Sequence, residues 1–263
     1  FQPSTRTMNA FQSAMIRAGG GWIGVMGEKG ISMEKGEDWE DTVRTYSGYG
    51  DIIVMRHPDR DSADIAQRVS RVPVVNGGSG DREHAVAAAL VLFNIYHYVG
   101  HLEGVKVGLY GTPEINRACK SIIPIMGHYG IRLMVDDLGH FPVPKEVEEE
   151  AKKNGLAELT YGKLDEFIGD VDILIVTRGL QKGIIPEDKF PKEKADMILQ
   201  KYKPITVEHM RRLRQDAYLD MLLPRIFEID KAVDADRRAI YSKAELHTEI
   251  CLSVITYLLD VRV

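Results

Sequence analysis

Asp51-Ile52-Ile53-Val54-Met55-Arg56-His57 is apolar without a break from Ile52 to Met55 and then turns basic. An unbroken apolar run of this length reads as a strand of a parallel sheet covered on both faces, where a surface strand would alternate. Beyond it, Ser62 to Val69 reads as a helix and Val72 to Asn76 as a second strand. Before it, Asp38 to Ser47 reads as a helix with Trp39, Val43 and Tyr46 on one side. Strands alternating with helices specify an α/β fold on a parallel sheet.

Towards the N-terminus, Phe11, Ala14, Met15 and Ala18 recur at helical spacing behind Ser4-Thr5-Arg6-Thr7. Ser4 or Thr5 is then the helix N-cap. Hydroxyls, free backbone N–H groups and a guanidinium at a helix N-terminus suit a phosphate dianion. On spacing alone the same four residues read equally well as an ordinary cap and a surface arginine. A phosphate loop lies between a strand and a helix, and only Phe1 and Gln2 remain to supply that strand. The expectation is that an N-terminal segment is missing from this numbering. Gly19-Gly20-Gly21 stops the first helix, Trp22 to Met26 reads as a short buried strand, and Gly27 to Gly36 as a polar loop.

Towards the C-terminus, Glu83 to Val99 is a long apolar helix, and Gly100-His101-Leu102-Glu103-Gly104 is the domain boundary. A second alternating series follows. Its strands are Val105 to Tyr110, Ile131 to Val135, Ile173 to Val176 and Tyr218 to Leu223. Its helices are Asn116 to Tyr129 with Pro124 inside, Lys145 to Asn154 and Val207 to Arg214, and Ala244 to Leu259 closes the chain. Ligands in such sheets bind beyond the carboxyl ends of the strands. Arg56 and His57, Gly77 to Glu83, Arg178, and Leu223 with Pro224 hold those positions.

At 263 residues the chain is long enough for one large or two small domains, and no apolar run reaches membrane-spanning length. The net charge of −5 offers no footprint for nucleic acid, so an anion site must come from arginines focused in a cleft. Cys119 and Cys251 read as isolated buried thiols, which fits a reducing cytosol, and no signal peptide is visible. His97 and His101 have the i, i+4 spacing of metal ligands without a third, and a helix-end role is preferred, so no metal is expected. Gly108-Leu109-Tyr110-Gly111 lacks the dinucleotide fingerprint, and no cofactor is expected.

Five further motifs stand in order after Ser4–Thr7. They are Ser32-Met33-Glu34-Lys35-Gly36-Glu37, Met55-Arg56-His57-Pro58, Val72-Pro73-Val74-Val75-Asn76-Gly77-Gly78, Thr177-Arg178 and Leu223-Pro224-Arg225. Together, from Phe1 to about Glu228, they resemble the catalytic chain of the aspartate carbamoyltransferases, within the aspartate/ornithine carbamoyltransferase family. The resemblance implies two doubly wound parallel-sheet domains with the active site in the cleft between them. Residues 1–100 would bind carbamoyl phosphate, 101–243 the amino acid, and the helix in 244–263 would return to the first domain. It implies transfer of a carbamoyl group from carbamoyl phosphate to the amino group of aspartate, in pyrimidine synthesis. A homotrimer in the cytoplasm with shared sites is implied, with room for regulatory or other pathway subunits.

The resemblance also assigns roles. Ser4, Thr5, Arg6 and Thr7 would bind the phosphate, and Arg56 the phosphate and the carbonyl oxygen. His84 would donate to that oxygen, so the catalytic set is Arg6, Thr7, Arg56 and His84. Ser32 and Lys35 would reach the neighbouring subunit's site. Arg117 would bind the α-carboxylate of aspartate and Arg178 its side-chain carboxylate, with Gln181 one place later than the family's glutamine. The Leu223 backbone would contact the carbamoyl group beside a cis proline.

Departures sit beside these matches. Ala87 stands where the family's glutamine accepts from the carbamoyl amide, and Met221-Leu222 replace its His-Pro. Gln2, Met8 and Phe227 replace a glutamate, an arginine and an acidic residue. They suggest two other readings, a relative using another amine or acyl phosphate and a non-catalytic binding or assembly subunit.

Overall fold

The computed structural model describes residues 4–27, 32–179, 192–243 and 245–261. They form two compact units. One runs to Leu90 and takes in the C-terminal helix, and the other is Val91–Lys243. The first holds α1 (Thr5–Arg17), α2 (Trp39–Tyr46), β1 (Ile53–His57), α3 (Ser62–Val69) and β2 (Val74–Ser79). The division falls within the unbroken helix α4 (Ala85–Val99).

In the first unit β1 and β2 pair in parallel, with Ile53 opposite Val74 and Met55 opposite Asn76. The register slips between Met55 and His57, which swings the basic end of β1 away from a regular ladder. α1 packs its buried face of Ala10, Phe11 and Ala14 with Val75, Cys251 and Ile255. Cys251 and Ile255 belong to α10 (Glu245–Leu259), so the last helix is part of this core.

Two expectations need correction here. Trp22 to Met26 forms no strand. Trp22 is 51% exposed and Ile23 65%. The segment lines one side of an apolar groove of about 940 Å³ whose other walls include α1, α2, residues 49–56 and the end of α10. Its local pattern suits a strand, but a strand needs ladder partners, and it has none among the described residues. β1 is likewise not covered on both faces among the described residues, since Val54 is 37% exposed.

The second unit carries β3 (Lys106–Tyr110), α5 (Arg117–Gly127), β4 (Arg132–Asp136), α6 (Lys145–Lys153), β5 (Glu158–Tyr161), α7 (Leu164–Phe167) and β6 (Ile173–Val176). After these come α8 (Lys192–Lys201), α9 (Val207–Arg212) and β7 (Tyr218–Met221). All five strands are parallel, in the order β5-β4-β3-β6-β7. The order reverses between β3 and β6, which makes their carboxyl ends a topological switch point. The core is Ile-, Leu- and Val-rich strand packed against Phe141, Ile168 and Ile198. No described helix is long and apolar enough to cross a membrane.

Candidate active site

Ser4 has extended backbone at φ −155° and caps α1, its hydroxyl accepting from Thr7 N at 3.4 Å. The first turn of α1 carries no acidic side chain, so its N–H groups and dipole present net positive potential. Arg56, the last residue but one of β1, donates from Nη1 to the same Ser4 hydroxyl at 3.3 Å. That Nη1 also lies 3.3 Å from His84 Nε2. A guanidinium has no acceptor, so Nε2 is the acceptor and the imidazole carries its proton on Nδ1.

The loop after β2 delivers His84 to this point. Asn76 Oδ1 accepts from Gly78 N at 2.8 Å, and Asn76 Nδ2 donates to Ser79 Oγ at 2.7 Å and Glu83 Oε2 at 3.1 Å. Gly77 is glycine for a steric reason. A Cβ there would stand 3.0 Å from Met55 O and 3.1 Å from Thr7 Cγ2. The backbone at the end of β2 is thereby pressed against α1 and β1, and Ser4, Thr7, Arg56, Gly77 and His84 gather in one place.

Thr5 and Arg6 are exposed on the first turn of α1. Partial desolvation lowers the pKa of Arg6. Burial, and after it the charge of Arg6, lowers that of His247 on α10. Ser32 and Lys35 stand exposed on a short 3-10 helix.

The second unit has its own cluster at the switch point. Tyr110 and Val176 are register partners, so the chain leaving β3 runs beside the chain leaving β6. Thr112 N donates to Thr177 Oγ1 at 2.7 Å, and Thr112 Oγ1 donates to Arg178 O at 2.7 Å. A side chain at Gly111, whose φ is +127°, would collide with the Thr177 hydroxyl. Tyr202 donates to Thr177 O at 2.5 Å, and burial raises its pKa well above the ordinary value. Tyr110 is also pushed up, to about 12, chiefly by burial. Both phenols are therefore fixed donors at neutral pH.

Arg117 is buried at the first position of α5, where Asn116 caps the helix by accepting from Ala118 N at 3.1 Å. Leu223 follows β7, and its peptide bond to Pro224 is cis. Glu228 ties the backbone just after Arg178 to the segment that follows Pro224. It is wholly buried and accepts from Gly179 N at 3.0 Å, Ile226 N at 2.7 Å and Phe227 N at 3.0 Å. Gln181 lies outside the described residues, as does Gln2. Among the described residues no group of three or more His, Cys, Asp or Glu side chains could hold a metal. His97 stacks on Phe93, and His101 Nδ1 lies 3.1 Å from Glu103 O.

Sequence reasoning missed the parts played by Thr112, Thr177, Glu228 and Asp220. Thr112, Thr177 and Glu228 act on backbone groups distant in the chain, and Asp220 accepts from the distant Asn94 side chain and from its own neighbour Met221 N. The one signal available was an acidic residue inside an otherwise apolar stretch, at Asp220 and again at Glu228.

Residues 1–97 match the family described as aspartate/ornithine carbamoyltransferase, carbamoyl-P binding domain. The aspartate carbamoyltransferase catalytic subunit of Thermococcus gammatolerans is 32% identical over 92% of this chain and 76% of its own. That of Archaeoglobus fulgidus is 33% identical over 92% of this chain and 77% of its own. Aspartate transcarbamoylase of Trypanosoma cruzi, solved with N-(phosphonacetyl)-L-aspartic acid, superposes with a TM-score of 0.86 at 29% identity over 97% of this chain and 80% of that one. The same enzyme has been solved with carbamoyl phosphate and aspartate. The catalytic subunit from M. jannaschii gives a TM-score of 0.85 at 30% identity, covering 98% of this chain and 82% of that one.

Proposed function

The chain belongs to the aspartate/ornithine carbamoyltransferase family, alongside the aspartate carbamoyltransferase catalytic subunits, and from that membership we propose the part each residue plays. The reaction joins the amino group of L-aspartate to the carbamoyl group of carbamoyl phosphate. It gives N-carbamoyl-L-aspartate and phosphate, a step of pyrimidine synthesis.

Carbamoyl phosphate binds to the first unit. Its phosphate lies on the N-terminus of α1, held by the hydroxyls of Ser4, Thr5 and Thr7 and by the Arg6 and Arg56 guanidiniums. Aspartate binds to the second unit, its α-carboxylate on Arg117 and its side chain on Arg178 and Gln181. The neutral amine attacks the carbonyl carbon, the C–O bond to phosphate breaks, and a phosphate oxygen takes the amine proton. Negative charge builds on the carbonyl oxygen, where Arg56 and His84 stabilise it. His84 Nε2 accepts from Arg56 as the structure stands. To donate to the carbonyl oxygen the imidazole moves its proton to Nε2 as Arg56 turns to the phosphate. The Leu223 backbone orients the carbamoyl group. Positioning and fixed charge supply the rate, with no covalent enzyme intermediate.

The observation that carries this reading is the single Arg56 Nη1 set between the cap of α1 and His84, each contact 3.3 Å. We place Ser32 and Lys35 at the site of a neighbouring subunit in a homotrimer, since both are exposed on a short helix. The test is the initial rate of N-carbamoyl-aspartate formation by the wild type and by Arg56→Ala. The wild type should turn over and the variant should not. A wild type that carbamoylates some other amine, leaving aspartate untouched, would overturn the assignment of substrate.

A further inference from the structure

Asp220 is 3% exposed at the end of the edge strand β7, and its carboxylate is hydrogen-bonded to two neutral donors. Asp220 Oδ2 accepts from Asn94 Nδ2 at 2.8 Å, and Oδ1 accepts from Met221 N at 2.8 Å. Asn94, on α4, is itself 6% exposed. A carboxylate buried against neutral donors alone costs stability, and here the cost comes with a specific task.

The backbone around it defines that task. Along β7 the N–H groups alternate between two sides. Tyr218 N and Leu222 N donate towards β6, to Asp172 O at 3.1 Å and Val176 O at 3.1 Å. Leu219 N faces the outer side and donates to Arg238 O at 2.8 Å, while Ile240 N donates to Leu219 O at 2.9 Å. The next outer N–H is that of Met221, a residue 4% exposed. A buried N–H at that edge must find an acceptor, and the preceding side chain supplies it. With its N–H held there, Met221 turns its carbonyl to Leu223 N, which donates to it at 2.9 Å. That contact closes the tight turn from which Leu223 emerges.

We infer that Asp220 is a positioning residue for the transfer reaction. Its carboxylate, steadied by Asn94, caps the last outer N–H of β7 and so sets the turn Met221–Leu223 that presents the Leu223 backbone to the carbamoyl group. This rests on the reading that Leu223 makes that contact.

Asp220→Leu removes both acceptors while keeping an apolar side chain of similar size. Asp220→Asn keeps an acceptor for Met221 N, and its new amide can donate to Asn94 once the Asn94 amide turns its oxygen inward. With a folded variant, Asp220→Leu should lower kcat/KM for carbamoyl phosphate roughly tenfold, the effect of one lost positioning hydrogen bond. Asp220→Asn should stay within about threefold of wild type. Hydrogen exchange of the segment holding the Met221 and Leu223 amides is the second readout. It should be slow in the wild type and in Asp220→Asn, and fast in Asp220→Leu if that variant folds. A folded Asp220→Leu with wild-type kinetics overturns the inference. So does an Asp220→Asn as impaired as Asp220→Leu, or fast exchange of these amides in the wild type. Failure of the underlying reading looks different. The wild type itself would then form no N-carbamoyl-aspartate, while the exchange measurement would still decide whether Asp220 sets the turn.

Discussion

Arg56 Nη1 donates to the Ser4 hydroxyl at 3.3 Å, which joins the end of β1 to the cap of α1. The same nitrogen reaches His84 at 3.3 Å. A guanidinium can serve both neighbours and still offer its other N–H groups to an anion.

Lysine cannot do this, because its ammonium is a point charge on a flexible stem. Arg56→Lys should therefore keep the fold and weaken phosphate binding roughly 10- to 150-fold, the range for losing charged hydrogen bonds of about 1.5–3 kcal/mol. Calorimetry with inorganic phosphate measures it. Unchanged affinity would remove Arg56 from the anion site.

Glu228 accepts from three backbone N–H groups, one of them next to Arg178. A glutamine keeps the pair at Ile226 and Phe227 through its oxygen and turns its NH₂ against Gly179 N. Glu228→Gln should lower stability by about 1–3 kcal/mol. It should also raise KM for aspartate more than KM for carbamoyl phosphate, because the displaced segment carries Arg178. Thermal unfolding and initial rates with each substrate varied in turn check both parts. Equal effects on the two KM values would argue for a purely structural role.

Burial raises the pKa of Asp220, and its hydrogen bonds from Asn94 and Met221 N only partly oppose that. The folded state then holds the proton more tightly than the unfolded chain does. The resulting cost is fully present above the raised folded value and vanishes as pH falls below the ordinary carboxylate range. Asp220→Asn removes the charge, so it should raise Tm at neutral pH by on the order of a few degrees. The gain should disappear in acid. A Tm difference independent of pH would show that the Asp220 carboxyl has the same pKa in the folded and the unfolded chain.

If Lys35 acts on a neighbouring subunit, two inactive variants should complement each other. Lys35→Ala mixed with Arg6→Ala leaves some sites with neither lesion. Activity should partly return after subunit exchange, which mass spectrometry of the mixed oligomers would verify. No recovery in verified mixed oligomers would confine Lys35 to its own chain.

The alternation of strands and helices is legible in the sequence because buried parallel strands such as Ile173–Val176 are continuous apolar runs, a local signal. Ser4, Arg56 and His84 are legible as candidates for a related reason. Each stands where a strand ends or a helix begins, and topology gathers such points. Trp22 to Met26 misleads because strand formation depends on a partner, and no local pattern states whether one is in place. Asp220 and Glu228 are opaque for the opposite reason. Glu228 holds the distant Gly179 N–H and Asp220 is held by the distant Asn94 amide, and these groups become neighbours only when the chain is folded. Leu180–Pro191, which includes Gln181, lies outside the described residues.

The division of labour between the two clusters is tested most directly by titrating one protein with two ligands. Inorganic phosphate offers only an anion, and N-(phosphonacetyl)-L-aspartate offers a phosphonate and the two carboxylates of aspartate. The wild type should bind the analogue far more tightly than phosphate. Arg56→Ala should weaken both, and Arg178→Ala should weaken the analogue alone, leaving phosphate affinity as in the wild type. Equal affinity of the wild type for the two ligands, or loss of phosphate binding in Arg178→Ala, would contradict the assignment of carbamoyl phosphate to Ser4–Thr7, Arg56 and His84 and of aspartate to Arg117 and Arg178.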